Sequence, residues 1–160
     1  AAGYDIGNRI VGKENNTENL IPIVMETAVG RRPYVPILGN KYATKDGTGI
    51  RDYVHVSDLA LAHINALEYI LEKRKNLTVN LGSENGFSVF DIIRMSEQIT
   101  KKTIQYKIAD PRSGDVAKIV ASCSLAKDLI GWSQNNSSLE KIIQSSWDVY
   151  SKKIRHTNNR

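Results

Sequence analysis

Cysteine, export signals and long apolar runs are scarce or absent in this sequence. Cys123 is the single cysteine among 160 residues, which excludes an internal disulfide framework and predicts a reducing, cytoplasmic environment. No apolar run approaches the roughly 20 residues that a membrane helix needs, so we expect no membrane partner. The first residues lack the pattern of a signal peptide. An initiating methionine is also missing, and we expect Ala1 to be a cut edge.

Basic charge is modest and is not concentrated in one binding surface. The formal net charge is +5, and residues 138–160 hold five basic residues against two acidic ones. Such a cluster is typical of a solvated C-terminal helix and tail, and the other basic residues are spread out. We therefore expect no nucleic-acid partner.

Motifs of cofactor and metal chemistry are missing as well. No G-x-x-G-x-x-G follows a strand and opens a helix, so the NAD fingerprint is absent. His55, His63 and His156 have no metal-ligand spacing with Cys123, and no Ser-His-Asp arrangement stands out. We predict that this chain contains no catalytic, NAD-binding or metal-binding residue.

What the sequence does contain is a regular alternation of short strands and helices. Hydrophobic residues make up 41% and charged residues 24%, which is ordinary for one globular domain. The alternation predicts an α/β fold. In chain order we predict a loop over 1–18, a helix capped by Asn19 and ended by Gly30, a strand over 34–38, a helix over 56–73, a strand over 77–81, a helix from Ser88, a strand over 104–108, a helix from Ser124 to Gly131, and a last helix.

Three helix starts are predicted from local capping patterns. Ser57 is expected to cap the helix over 56–73, which carries an apolar face of Ala60, Ile64, Leu67 and Leu71. Ser88, with Asp91 three residues later, predicts the start of another helix. The tetrapeptide Ser-Ser-Leu-Glu at 137–140 predicts a capping box for the last helix.

The stretch over 44–60 concentrates glycine and charge. Gly47 and Gly49 allow backbone conformations that other residues resist. Arg51 follows this turn and offers a planar fork to phosphate or carboxylate. Arg112 follows a second turn and could serve the same anion. From the residues alone, pairing of these arginines with Asp52 and Asp115, or exposure to solvent, is favoured over an anion site.

This stretch carries a family resemblance. Residues 46–60 read Asp-Gly-Thr-Gly-Ile-Arg-Asp-Tyr-Val-His-Val-Ser-Asp-Leu-Ala and resemble the matching segment of UDP-glucose 4-epimerases, in the extended short-chain dehydrogenase/reductase superfamily. The likeness continues at 19–22, 28–32, 80–82, 111–116 and 129–132. It covers nearly the whole chain, but only the C-terminal half of such enzymes. The resemblance implies that 1–160 is one UDP-sugar-binding domain and that NAD is bound by a missing N-terminal half of the same polypeptide.

The resemblance also implies roles for individual residues. Tyr69 and Lys73 match the catalytic Tyr-x-x-x-Lys spacing of the superfamily, but they end a helix downstream of the substrate-side turn, and we reject them as a chance match. Residues 4–7 depart from the family sequence. Implied substrate contacts are Arg51, Arg112, Asn19 and Leu20 at the diphosphate, Asp115 at the ribose hydroxyls, Tyr53 near the nucleotide, Pro36, Ile37 and Leu38 at the uracil, and Ile119 beside the sugar.

By resemblance, the parent enzyme interconverts UDP-glucose and UDP-galactose through a 4-keto intermediate, and this part alone is expected to be inactive. The intermediate bulk of Ile119 leaves both UDP-glucose and UDP-N-acetylglucosamine open. Two alternatives remain: another nucleotide-sugar dehydratase or decarboxylase of the superfamily, and a non-catalytic α/β module whose basic tail meets a nucleic acid or an acidic partner. Apolar surface left bare by the missing half could also support a homodimer.

Overall fold

Five helices and five short strands are interspersed in the computed structural model, which describes residues 1–7, 9–10, 12 and 17–152. This order confirms the predicted α/β class. The elements are α1 (Leu20–Ala28), β1 (Val35–Leu38), β2 (Ile50–Asp52), α2 (Val56–Lys73), β3 (Gly86–Ser88), α3 (Val89–Thr100), β4 (Tyr106–Ala109), β5 (Lys118–Ile119), α4 (Ser124–Ile130) and α5 (Leu139–Tyr150). The last part of the predicted basic tail, from 153 onward, lies outside the described residues.

The strands form two small sheets. In the first, β1 pairs with β4 in parallel, and Pro36 stands opposite Lys107. Both strands of a two-stranded sheet are edge strands. Proline, which cannot donate a ladder hydrogen bond, is tolerated in an edge strand. In the second, β2 lies between antiparallel β3 and parallel β5, with Arg51 opposite Ile119. The central strand of this sheet therefore carries the predicted anion-binding arginine.

Two apolar clusters hold these elements together. The larger one packs α1, α3 and α5 against β1, and its side chains are buried, including Val24, Ile92 and Ile142. The smaller one lies between α2 and α4 and contains Cys123 and Trp132. The predicted strand over 77–81 is wrong: these described residues form no strand. Their apolar side chains pack against the smaller cluster instead, so burial rather than strand pairing explains their pattern.

Local capping patterns predicted one helix start fully. Ser88 Oγ accepts from the Asp91 backbone N–H at 3.1 Å, and the Asp91 carboxylate accepts from the Ser88 backbone N–H at 3.0 Å. The two hydrogen bonds confirm the capping box. Asn19 is also the N-cap of α1, although its side chain makes no capping hydrogen bond. Gly30 follows α1 by two residues and has a positive φ of 77°, as expected of a residue that ends a helix.

Three other caps differ from the prediction. His55, not Ser57, caps α2, because its Nδ1 accepts from the Ser57 N–H at 3.1 Å. Cys123, not Ser124, precedes α4, although Gly131 ends that helix in the left-handed region as predicted. Ser138 rather than Ser137 caps α5. The hydroxyl of Ser137 donates to the buried Asp58 carboxylate at 2.6 Å, and this tertiary bond replaces the predicted capping box.

The predicted apolar face of α2 exists but is exposed. Ile64, Leu67 and Leu71 have 55%, 58% and 61% of their surface accessible. The opposite face packs on the smaller cluster through Ala62 and its neighbours. Helical spacing identifies residues that share a face, but it does not say whether their partner belongs to the chain. Within the described ranges, no helix is both long and apolar enough to cross a bilayer.

Candidate functional site

A cavity of about 530 Å³ opens where the start of α1, strands β1 and β2, and the loop before β5 come together. Its walls come from eight parts of the chain, most of them distant in sequence. They are lined by Ala1, Ala2, Gly3, Tyr4, Gly12, Glu18, Asn19, Leu20, Ile21, Pro22, Ile23, Pro36, Leu38, Gly49, Arg51, Tyr53, Val56, Val89, Arg112, Asp115 and Ser146.

The glycine-bearing turn before β2 is a rigid support for Arg51. Thr48 donates its N–H at 3.0 Å and its hydroxyl at 2.7 Å to the Asp46 carboxylate. Gly47 has a φ of 78°, and a Cβ there would lie 2.1 Å from the Asn40 carbonyl oxygen. No larger residue fits this position without displacing the backbone. The turn therefore fixes where β2 begins and where Arg51 leaves it.

Arg51 and Asp115 form an ion pair inside the cavity. Arg51 Nη2 donates to Asp115 Oδ1, and each side chain is 28% exposed. The other amino group of Arg51 donates to the Ile50 carbonyl at 2.8 Å. Of the two pairings left open by the sequence, the structure thus contains the one with Asp115. The Asp52 carboxylate accepts instead from the Ser83 and Ala121 backbone N–H groups at 2.8 and 3.1 Å.

Arg112 and the N-terminus of α1 add positive potential to the same cavity. Arg112 and Asp115 share one turn, in which the Asp115 N–H donates to the Arg112 carbonyl at 3.2 Å. Asn19 and Leu20, at the start of α1, also line the cavity. A helix N-terminus carries partial positive charge and unpaired N–H groups, which favour an anion. Two guanidinium groups and a helix start converging on one cavity form an arrangement suited to a phosphate chain.

His55 fastens the N-terminal segment that forms one wall. Since the Ser57 N–H can only donate, Nδ1 of His55 is the acceptor and the proton lies on Nε2, which faces Ser145 Oγ at 3.1 Å. Ser145 Oγ in turn accepts from the Tyr4 N–H at 3.1 Å. Burial lowers the pKa of His55, so the neutral ring is favoured. A Cβ on Gly3 would lie 2.6 Å from this ring, which explains the glycine.

The family described as GDP-mannose 4,6 dehydratase matches residues 8–146. The chain belongs to this family.

Three similar proteins are each named UDP-glucose 4-epimerase. The chain is 41% identical to a UDP-glucose 4-epimerase of Halalkalibacterium halodurans over 92% of its own length and 44% of that protein's. It superposes with a TM-score of 0.89 and 34% identity on the UDP-glucose 4-epimerase of Stenotrophomonas maltophila with bound NAD and formylated UDP-arabinopyranose, covering 94% of this chain and 45% of that one. The corresponding values for the Bifidobacterium longum enzyme in complex with NAD+ and UDP are 0.79, 33%, 86% and 41%. The chain thus spans less than half the length of these relatives.

Within this member of the dehydratase family, the structure brings together most of the residues that the sequence singled out. Two do not border the cavity: Ile37 is fully buried in the larger apolar cluster, and Ile119 lies 53% exposed on β5. The rejected pair Tyr69 and Lys73 does not line it either. The predicted residues that do line it are Asn19, Leu20, Pro36, Leu38, Arg51, Tyr53, Arg112 and Asp115.

Sequence reasoning missed the wall built by the first residues of the chain. Residues 1–4 were predicted to be part of a loop over 1–18 and were not among the predicted substrate contacts, yet they line the cavity. Ala2 exchanges backbone hydrogen bonds with Val54 and Val56 at 2.7 and 2.8 Å. No local pattern announces such a bridge, because the partners lie more than 50 residues away. Ser146, on α5, was missed for the same reason.

Tyr53 completes the wall next to Arg51. Burial raises the pKa of Tyr53 to about 12, although the neighbouring Arg51 charge opposes the shift. The phenol therefore keeps its proton at neutral pH and is available as a hydrogen-bond donor. Within the described ranges, no group of three His, Cys, Asp or Glu residues is placed to hold a metal ion. The chemistry that this cavity offers is anion and hydroxyl recognition.

Proposed function

We propose that this chain is the UDP-sugar-binding part of a UDP-glucose 4-epimerase, an enzyme that interconverts UDP-glucose and UDP-galactose through a 4-keto intermediate. The observation that carries the proposal is the convergence of Arg51, Arg112 and the start of α1 on one cavity. The shared name of the relatives, and the nucleotide sugar or UDP in two of their structures, support the same substrate class.

In this proposal the cavity grips the nucleotide and leaves the sugar free to turn. Arg51 and Arg112 hold the diphosphate through charge-assisted hydrogen bonds, which are the strong kind. Asp115 accepts from the ribose hydroxyls, Tyr53 lies near the nucleotide, and the segment at Pro36 and Leu38 borders the base. Because the epimerised carbon must be presented on both faces, tight contacts belong on the nucleotide and loose ones on the sugar.

NAD, which the family relation implies, does not fit the residues of this chain. The glycines that line the cavity, Gly3, Gly12 and Gly49, come from three separate segments and not from one strand–turn–helix unit, which a dinucleotide site requires. We therefore assign NAD to another part of the polypeptide and expect this chain alone to have no epimerase activity. An assay of the purified chain with UDP-galactose and added NAD tests that point, and turnover would contradict it.

The exposed face of α2 supports a partner of this kind. Its apolar residues extend from Val56 to Leu71, and an exposed stripe along an 18-residue helix is unusual without a covering body. The chain covers 44% of its Halalkalibacterium relative, so the remaining part of such a protein is the proposed occupant. We also propose that the enzyme forms a homodimer and that it is cytoplasmic. Burial raises the pKa of the Cys123 thiol, and a protonated, buried thiol suits a cysteine that stays reduced in the cytoplasm.

Titration of the purified chain with UDP tests the nucleotide site. We expect Arg51→Ala and Arg112→Ala each to weaken binding by roughly 1.5–3 kcal/mol, the value of a hydrogen bond between charged groups. Arg31→Ala is the matched control, because Arg31 is exposed and does not line the cavity. Absence of UDP binding by the unmodified chain, or equal losses in all three variants, would contradict the proposal.

A dehydratase acting on a nucleotide sugar is the second candidate, since the matching family is described by GDP-mannose 4,6 dehydratase. Competition between UDP and GDP for the cavity separates the two nucleotides. A preference for UDP agrees with the epimerase proposal, and a preference for GDP favours the second candidate. Product analysis of the full-length enzyme then decides between epimerisation and loss of water.

A further inference from the structure

Arg51, the best-placed anion ligand of the cavity, is already occupied by an anion of the protein itself. Its Nη2 group donates to Asp115, and its Nη1 group donates to the Ile50 carbonyl at 2.8 Å. A phosphate can take the full fork of Arg51 only if Asp115 leaves. The residues that should bind the diphosphate therefore begin in a state that competes with it.

The charges around the cavity are balanced while this pair is closed. The charged side chains lining it are Arg51, Arg112, Asp115 and Glu18, two of each sign. When Asp115 turns away from Arg51, an unpaired guanidinium remains in a cavity that Arg112 also lines. The cavity therefore presents strong positive potential only after the pair opens.

Asp115 is better placed to move than Arg51. Arg51 lies on β2, between β3 and β5, and a Cβ on Gly49 would lie 3.2 Å from its Nη1, so the guanidinium rests against the glycine turn. Asp115 follows Gly114, which has a positive φ of 76°, on a turn of exposed residues. Rotation of the Asp115 side chain costs no strand pairing.

We propose that Asp115 is an exchangeable counter-ion that makes the cavity select nucleoside diphosphates over ligands with only one of the two recognised groups. This inference rests on the proposed function and deepens it. Asp115 releases Arg51 when a diphosphate replaces its carboxylate on the fork, and it is itself satisfied when the neighbouring hydroxyls of a ribose donate to it.

A ligand that carries only one of these groups must also separate the ion pair between Arg51 and Asp115, but it leaves one of the two side chains without a new partner. Inorganic pyrophosphate replaces Asp115 on Arg51 but leaves the carboxylate without donors beside a bound anion, and the two negative charges repel. Uridine offers hydroxyls to Asp115 but leaves Arg51 without a counter-ion. Only a ligand with both groups satisfies both partners at once.

The test is to measure dissociation constants of inorganic pyrophosphate, UDP and uridine by calorimetry at fixed ionic strength. Asp115→Asn removes the charge and keeps the shape and one acceptor. Glu18→Gln is the matched control, because it removes another cavity-lining carboxylate that makes no ion pair with Arg51 in the part of the chain that the structure describes. Both substitutions are repeated in an Arg51→Ala background.

We expect Asp115→Asn to tighten pyrophosphate binding by roughly fivefold, which corresponds to releasing a partly exposed ion pair, and to change UDP binding less. The gain should vanish in the Arg51→Ala background, whereas any gain from Glu18→Gln should persist there as a general charge effect. An equal gain from both substitutions, a gain that survives without Arg51, or failure of every variant to bind pyrophosphate would overturn the exchange.

A ligand-free measurement separates this inference from the proposed function. Urea midpoints are compared for the unmodified chain, Arg51→Ala, Asp115→Asn and the double variant. Shifts that do not add show that the two side chains are paired in the empty cavity, and additive shifts overturn the inference. Failure of the unmodified chain to bind UDP, with non-additive midpoints, would overturn the proposed nucleotide site and leave the pairing intact.

Discussion

The buried imidazole of His55 is expected to make the stability of this chain depend on pH. Its ring is fully buried, caps α2 through Nδ1 and faces Ser145 through Nε2. Protonation of Nδ1 removes the acceptor that the Ser57 N–H needs. Desolvation is the main cause that lowers the pKa of His55 in the fold; the negative charge of Asp58 opposes this shift, as Asp5 does, and Lys141 adds to it.

The direction in which the free energy of unfolding changes with pH depends on which state, folded or unfolded, binds the proton more readily. An unfolded histidine has a pKa near 6.5, so below that pH the unfolded chain binds a proton that the folded chain refuses. The free energy of unfolding contributed by His55 is therefore complete above pH 6.5 and falls as the pH drops toward the lowered folded pKa. The slope cannot exceed about 1.4 kcal/mol per pH unit for one proton.

The size of the His55 contribution can be worked from its contacts. Loss of an N-cap costs about 1 kcal/mol, loss of the bond to Ser145 about 1 kcal/mol, and the cavity left by a buried ring about 2 kcal/mol. We therefore expect His55→Ala to lower the free energy of unfolding by about 4 kcal/mol near neutral pH, a large share of the 5–15 kcal/mol typical of a domain.

Urea unfolding between pH 5 and 8, followed by circular dichroism, measures both effects. His63→Ala is the matched control, because His63 lies exposed on α2 and its Nδ1 contacts the Leu59 carbonyl of the same helix at 2.7 Å. The unmodified chain and His63→Ala should lose stability in parallel below pH 6.5, and His55→Ala should lose less over that interval. The same pH dependence in all three proteins would refute the reasoning.

Two further predictions concern the turn and the exposed helix. Gly47→Ala should cost about 1–3 kcal/mol, because its Cβ would meet the Asn40 carbonyl at 2.1 Å. An unchanged urea midpoint would contradict this. Gly12→Ala is the control, because a Cβ there meets no atom of the described residues within 4 Å. The double substitution Ile64→Glu and Leu67→Glu should change the unfolding free energy of the isolated chain by less than about 0.5 kcal/mol per site, and should reduce its self-association in light scattering. A large loss of stability would mean that the α2 face is covered within this chain.

Capping and turn chemistry were predictable wherever the partners are near in sequence. Ser88 and Asp91 are three residues apart, so one local pattern determines both hydrogen bonds. The cap of α2 was not predictable in this way, because histidine is not among the favoured N-cap residues and the second nitrogen of His55 faces Ser145, which is distant in sequence. The strand expected over 77–81 failed because alternating apolar residues also suit an irregular segment packed on a cluster.

The candidate site shows the same division between local and distant information. Arg51 and Arg112 were identified by residue type and by the turns that precede them, and the resemblance placed them at one ligand. Their meeting at one cavity depends on the parallel pairing of β2 with β5, which no local pattern contains. The pairing of Arg51 with Asp115 rather than Asp52 depends on backbone N–H groups of Ser83 and Ala121 that already satisfy Asp52.

Val56 links the candidate site to the exposed face of α2. It borders the cavity and is also the first residue of the bare apolar stripe, with 38% of its surface accessible. A body that covers the stripe from its first turn must therefore reach the rim of the cavity. If the stripe began further along α2, docking and ligand binding would be independent events. Because the two surfaces share a residue, the partner proposed for α2 would also reach the nucleotide site, and ligand binding and docking should change each other's affinity by the same factor.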